Sequence, residues 1–305
     1  TASRSGAIFA GMKSPNPATA LALAAFLAGA TAVPQEPEKT PFSEFVPVAK
    51  TSTWITAAAF APDGKRLAAT AQSADQGGPT VLLSVPDLIT LREFPGFADY
   101  AGSLAFSADG RFLAAGGKMG FVGVWDAASG KPLLTFLPRS QIVDMRLAFL
   151  PADSRHLYLE GGWQGGQVMD WTADEPTFLA RTAQVVSASL FALSPDGKRV
   201  AHEDATVLTV HGLEDGQRLW AQKRHDVPQP TRALAWSSDG ARLAMIQGPR
   251  LSIWDAGAGK EIRTFPVGAG PASLAVFTPD LAYAAISSAT RSEDPERLVV
   301  WNLET

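Results

Sequence analysis

The chain has 305 residues, of which 46% are apolar, so it can bury a large core. Its 26 basic and 30 acidic side chains give a formal charge of −4, without the basic excess that a nucleic-acid partner requires. Cysteine is absent, which excludes disulfides, thiolate metal sites, covalent haem attachment and a cysteine nucleophile.

Near the start, Met12-Lys13 precedes an apolar run from Ala18 to Ala30, and Ala30 and Ala32 place small residues at the minus-three and minus-one positions. That is the form of a secretory signal, with cleavage expected before Val33 and export to the periplasm or the extracellular space. The run falls short of the roughly 20 residues that span a bilayer, so no stable membrane span is expected after cleavage. No cysteine follows it, as a lipoprotein would need. Residues 33–40 (VPQEPEKT) read as a polar, proline-rich linker. The chain therefore divides into 1–32 (upstream residues and signal), 33–40 (linker) and 41–305 (repeat domain).

From residue 41 onward one unit recurs: an apolar strand, an Asp-centred turn, a second apolar strand, a gap, and a third strand. The turns fall at Asp63, Asp109, Asp153, Asp196, Asp239 and Asp280, spaced by 46, 44, 43, 43 and 41 residues. A period near 43 with three or four strands per unit predicts an all-β β-propeller in which each unit supplies one blade. Asp accepts hydrogen bonds from nearby backbone N–H groups, and Gly64, Gly110, Gly197 and Gly240 supply the positive φ that closes a hairpin. Repeats three and six lack that glycine, which predicts less regular hairpins there. The third strands are expected to end at Ser84, Trp125, Trp171, Val210, Trp254 and Trp301.

On these residues the chain resembles the WD-repeat family over about 41–305, most clearly at Trp125-Asp126 and Trp254-Asp255, with Trp301-Asn302 as a variant. The resemblance implies that the indoles pack between blades as core. The family's His–Ser/Thr–Asp–Trp network is incomplete. His225 sits near the His place, but Gln247 to Arg250 stand where the turn Asp belongs. The closer likeness is to loosely patterned exported bacterial relatives with SPDGK-type hairpins.

Outer-strand aromatics precede the turns at Phe94, Phe136, Phe178, Trp220 and Phe265, and Phe45 holds the same offset before Asp63. Six blades of four antiparallel strands follow, with the N-terminal strand completing the last blade and leaving no exposed sheet edge. The alternative is a longer, seven-bladed parent.

Two gaps between second and third strands are long, 71–79 in the first repeat and 287–297 in the sixth, and in a closed ring these blades are neighbours. Binding is expected on the face that carries them, because loops on a rigid scaffold are where binding usually resides. The candidates are Asp75, Gln76, Arg291, Glu293 and Asp294 in the long loops, and Trp54, Asp99, Tyr100, Arg139, Asp144, Arg224, His225 and Asp226 in the links between blades. Trp163, in a glycine-rich stretch, is a candidate stacking surface. His202-Glu203-Asp204 reads as a solvated strand end, since consecutive residues alternate across a strand and cannot converge on one ion.

No nucleophile elbow, phosphate loop, calcium loop or zinc spacing occurs, so no catalytic residue, metal or cofactor is assigned. The reading is a non-enzymatic scaffold in the cell envelope that binds a protein or peptide. The alternatives are a periplasmic enzyme or sensor with a small ligand or metal at the channel mouth, and one domain of a larger protein. Deleting residues 41–50 is expected to lower the melting temperature sharply in a thermal unfolding scan; an unchanged midpoint would sink the closure.

Overall fold

Six short antiparallel sheets follow one another along the chain, each built from strands in sequence order. The structure is a computed structural model that describes residues 54–72, 77–95, 101–117, 120–136, 145–151, 153–161, 165–182, 190–204, 207–223, 231–267, 272–288 and 297–304. Blade one is β1 (Trp54–Phe60), β2 (Arg66–Gln72), β3 (Gly77–Ser84) and β4 (Thr90–Phe94). Blade two is β5 (Ala101–Phe106), β6 (Phe112–Gly117), β7 (Val122–Asp126) and β8 (Pro132–Phe136). Blade three is β9 (Arg146–Leu150), β10 (Asp153–Glu160), β11 (Gly166–Asp170) and β12 (Thr177–Arg181). Blade four is β13 (Phe191–Leu193), β14 (Arg199–Asp204), β15 (Val207–Gly212) and β16 (Arg218–Lys223). Blade five is β17 (Thr231–Trp236), β18 (Arg242–Gln247), β19 (Arg250–Asp255) and β20 (Lys260–Pro266). Blade six shows three described strands, β21 (Ala272–Phe277), β22 (Tyr283–Ser288) and β23 (Arg297–Asn302). The six-bladed all-β propeller expected from the period is thus the observed fold. The closing strand expected at 41–50, with Phe45, lies outside the described residues.

The hairpin between first and second strands repeats one set of bonds. In blade two, Ser107 N–H donates to the Phe112 carbonyl (3.0 Å) and Gly110 N–H to the Ser107 carbonyl (2.9 Å). Asp109 then accepts from the Ser107 hydroxyl (2.6 Å) and from Arg111 N–H (3.1 Å). Blades four and five match it with Ser194–Asp196 and Ser237–Asp239. The serine hydroxyl is the main reason that Asp109 and Asp239 titrate below the ordinary carboxylate range. The glycines take φ of 66° to 69° at Gly64, Gly110, Gly197 and Gly240.

The two repeats without that glycine behave differently. In blade three, Asp153 joins β10 and the register slips between Asp153 and Leu157, the irregularity expected. In blade six the hairpin stays regular: Leu281 takes φ 55°, and Thr278 N–H still reaches the Tyr283 carbonyl (3.0 Å). A left-handed leucine costs roughly 1–2 kcal/mol. Leu281 is nonetheless held, because its side chain is buried beside Ala284, Ile286 and Leu303, and such burial stabilises by about 2–3 kcal/mol.

Blades meet through the two faces of their middle strands. Trp125 packs with Ala68, Leu82 and Phe94 of blade one, Trp171 with Val122 and Val124 of blade two, and Trp254 with Leu208 and Val210 of blade four. Each indole leans on the preceding blade and, fully buried, contributes roughly 4–6 kcal/mol of transfer free energy. Trp125 donates to the Pro95 carbonyl (3.1 Å), Trp171 to the Ser154 carbonyl (2.8 Å) and Trp254 to the Ser252 hydroxyl (2.9 Å). The three indole N–H groups share no common acceptor, in keeping with an incomplete family network.

Arginines of the second strands add further ties. Arg199 Nη2 donates to the Gly240 carbonyl (2.8 Å) and Arg242 Nη2 to the Asp280 carbonyl (2.7 Å).

Pairing corrects three third-strand positions. The residue opposite the second position of each second strand is Trp125 (on Leu113), Trp254 (on Leu243) and Trp301 (on Ala284). By the same register it is Leu83, not Ser84, in blade one, and His211, not Val210, in blade four. In blade three Met169 takes that place and Trp171 lies two residues beyond it. The slips arise because gap lengths differ between blades while strand pairing does not.

Leu281→Gly is expected to lower stability by roughly 2 kcal/mol in urea unfolding, because the lost burial outweighs the relieved strain.

Candidate functional site

All six second strands end at one rim of the ring, at Gln72, Gly117, Glu160, Asp204, Gln247 and Ser288. The links between blades and the turns between second and third strands leave from this same rim. Trp54 opens β1 there, opposite Gln72. The other binding-face candidates, Asp75, Gln76, Asp99, Tyr100, Arg139, Asp144, Trp163, Arg224, His225, Asp226, Arg291, Glu293 and Asp294, lie outside the described residues.

One of the two long gaps is shorter than expected. Gln72 pairs with Gly77, so extra residues in blade one lengthen β2 and β3 and only 73–76 remain between them. In blade six, 289–296 separate Ser288 from Arg297.

Beneath the rim the seams contain polar side chains. Thr56 Oγ1 donates across a seam to the Ala101 carbonyl (2.8 Å), and the Thr70 and Thr80 hydroxyls meet at 3.0 Å. In blade three the Tyr158 hydroxyl donates to Glu160 Oε2 (3.1 Å), and the Thr182 hydroxyl accepts from Gly166 N–H (3.0 Å). Gly166 is required here, since a Cβ at that position would overlap the Tyr158 hydroxyl. Burial pushes the Glu160 carboxyl up to about 7, against the Tyr158 hydrogen bond and the charge of Arg146, which act to lower it. Burial, and then the nearby Glu160, raises Tyr158 well above its ordinary value. At the opposite rim the Arg155 guanidinium holds Asp170 far below the usual carboxylate range.

Blade four overturns the reading of His202-Glu203-Asp204 as a solvated end: His202 is 1% exposed and Glu203 2%. Alternation does send them to opposite faces, but in a propeller both faces of a middle strand are covered by neighbouring blades. His202 lies against His211, with ring centroids 4.7 Å apart, and no nitrogen of either ring has a hydrogen-bond partner. Burial first, and the neighbouring His211 second, pull His202 down to about 3. His211 is lowered by burial and by Arg218.

Glu160, His202 and His211 were not singled out as site residues, yet a signal existed. His202 stands where the sister blades carry Ala69, Ala115, Leu159, Met245 and Ile286, and His211 stands where others carry tryptophan. Among the described residues no group of three or more His, Asp or Glu side chains gathers as a metal site would require. No described helix is long and apolar enough to cross a membrane.

The repeated sheets and their seams define the class: a β-propeller. Residues 89–126 match the family model "WD domain, G-beta repeat". Among solved structures, the β-propeller domain of Cps50 (Swd1) from Myceliophteria thermophila is similar at a TM-score of 0.56 and 13% identity, covering 84% of this chain and 98% of that one. No curated protein sequence gives a match. One repeat thus matches the WD model in sequence and the other blades follow the same strand plan, so the fold is a β-propeller that carries a WD-type repeat.

Because Glu160 is more basic folded (about 7) than its ordinary 4.5, its stabilisation is complete below pH 4.5 and is lost as pH rises through 7. Glu160→Gln is expected to remove this loss and to raise stability at pH 8 by up to about 3 kcal/mol in urea unfolding, with a much smaller change at pH 4.5.

Proposed function

We propose that the protein is an exported, non-enzymatic scaffold of the cell envelope that binds a protein or peptide on its loop rim. The observation that carries this reading is a division of labour among the polar residues. Those that recur from blade to blade are consumed in hairpins, as Asp109 and Asp239 are, or buried in seams, as Trp125 and Trp254 are. Segments that differ from blade to blade, such as 73–76 and 289–296, leave from a single rim. Recognition by loops on a rigid scaffold fits that arrangement, and WD-type propellers are typically interaction scaffolds. Export rests on the apolar run Ala18 to Ala30 and the small residues after it.

The test starts from a partner captured from a periplasmic extract, purified, and titrated against the intact protein and a variant lacking 73–76 and shortened within 289–296. Binding by the variant is expected to be at least about tenfold weaker, a loss of roughly 1.4 kcal/mol. Equal affinity would refute the assignment of the rim.

A further inference from the structure

The seam between blades three and four departs from the four seams one–two, two–three, four–five and five–six in both its packing residues and its chemistry. Innermost strands of successive blades pack side by side at β1–β5, β5–β9, β13–β17 and β17–β21. Among the described residues no comparable packing joins β9 to β13, nor β21 to β1, and β13 is three residues long. Side chains therefore carry this seam: Val200, Phe191 and Leu213 pack against Tyr158 and Val168, with the Tyr158 and Phe191 rings edge to face at 4.9 Å.

Blades two, five and six place an indole on the preceding blade at the third-strand position, whereas blade four places His211 there. Register puts Val200 opposite His211 and Thr209 opposite His202, so both imidazoles share the side that carries Val200 toward blade three. An indole does not titrate, but an imidazole does.

We propose that the buried His202–His211 pair is an acid-labile element of this seam, whose protonation drives blades three and four apart while the other seams stay closed, and that Glu160 counterbalances it in the intact protein. Like charges on rings 4.7 Å apart, in a site that excludes water, repel each other and lack the hydration that an opened seam restores.

The charged groups that register places on this side of the two blades offer little compensation. On blade four these are Arg218, which pairs with His211, and Lys223, while Asp204 closes β14 in sequence. On blade three they are Arg146, Tyr158, Glu160, His156 and Asp170. Asp170 is engaged by Arg155 and His156 by Asp153. Glu160, whose burial favours the neutral acid, titrates in the opposite sense: it releases its proton on opening, as the histidines take theirs up. Between pH 4.5 and 6.5 the two effects offset each other in the intact protein, so acid opening is read in a Glu160→Gln background.

The measurement is hydrogen exchange by mass spectrometry on peptides from β10–β12 and β13–β16, corrected for the intrinsic pH dependence of exchange. An open-state pKa of 6.5 and a closed-state value near 3 for His202 predict that the opening constant in Glu160→Gln rises about thirtyfold from pH 7.5 to pH 5.0. Peptides from β17–β20 should show no such rise. In Glu160→Gln/His202→Phe the rise should shrink to the smaller share that His211 carries. An unchanged rise in that variant, a flat profile in Glu160→Gln, or equal opening at every seam would overturn the proposal. Should the phenylalanine variant fail to fold, histidine-labelled Glu160→Gln provides the second test. The native imidazole resonance of His202 is expected to stay at its neutral position at pH 5.0, and titration of His202 above pH 6 would be equally fatal.

Discussion

Everything in this fold depends on two-sided burial of the middle strands. In an open antiparallel sheet one face packs and the other meets water, so polar residues at alternate positions are unremarkable. In a ring of blades each middle strand is flanked on both sides. Leu243 and Trp254 pack on blade four while Ala244 and Ile253 of the same strands pack toward blade six. Alternation then sorts residues between two neighbours and not between core and solvent. A polar residue on such a strand is a buried group, and it needs a partner or a suppressed charge.

That constraint explains why the architecture was legible in the sequence and the chemistry of the seams was not. The period of the turn aspartates, the Ser-Asp pairs and the glycines act within five or six residues, so local spacing was enough to place the hairpins and count the blades. His202 and Glu203 were misread because their surroundings come from other blades, and solvation was inferred from alternation alone. His211 was passed over because the apolar run ending at Val210 was matched to the tryptophan position, whereas register places that position one residue further on. Of the candidate binding residues only Trp54 falls on a described strand, at the rim where the loops leave.

Leu281 shows how tertiary packing overrides a turn rule. The missing glycine pointed to a less regular hairpin, since a side chain in the left-handed region is strained. The hairpin instead keeps the same closing bonds, and the leucine uses its position to fill the core between blades five and six. Blade three, also without the glycine, has no such burial to offset the strain and yields at the register between Asp153 and Leu157.

The same comparison, blade against blade, separates what the ring needs from what it does not. Positions where all blades agree are met by backbone closure or apolar packing, and a substitution there is paid for in stability. Where one blade departs from its sisters and still buries the result, the departure costs free energy that packing alone would not require: four imidazole nitrogens without hydrogen-bond partners are each expected to cost on the order of 1–3 kcal/mol. A seam that needed only cohesion would be better served by tryptophan and an aliphatic residue, as at Trp254 and Met245. Titratable groups in that place tie cohesion between blades three and four to proton exchange, with uptake by the histidines set against release by Glu160, which no arrangement of apolar side chains can do.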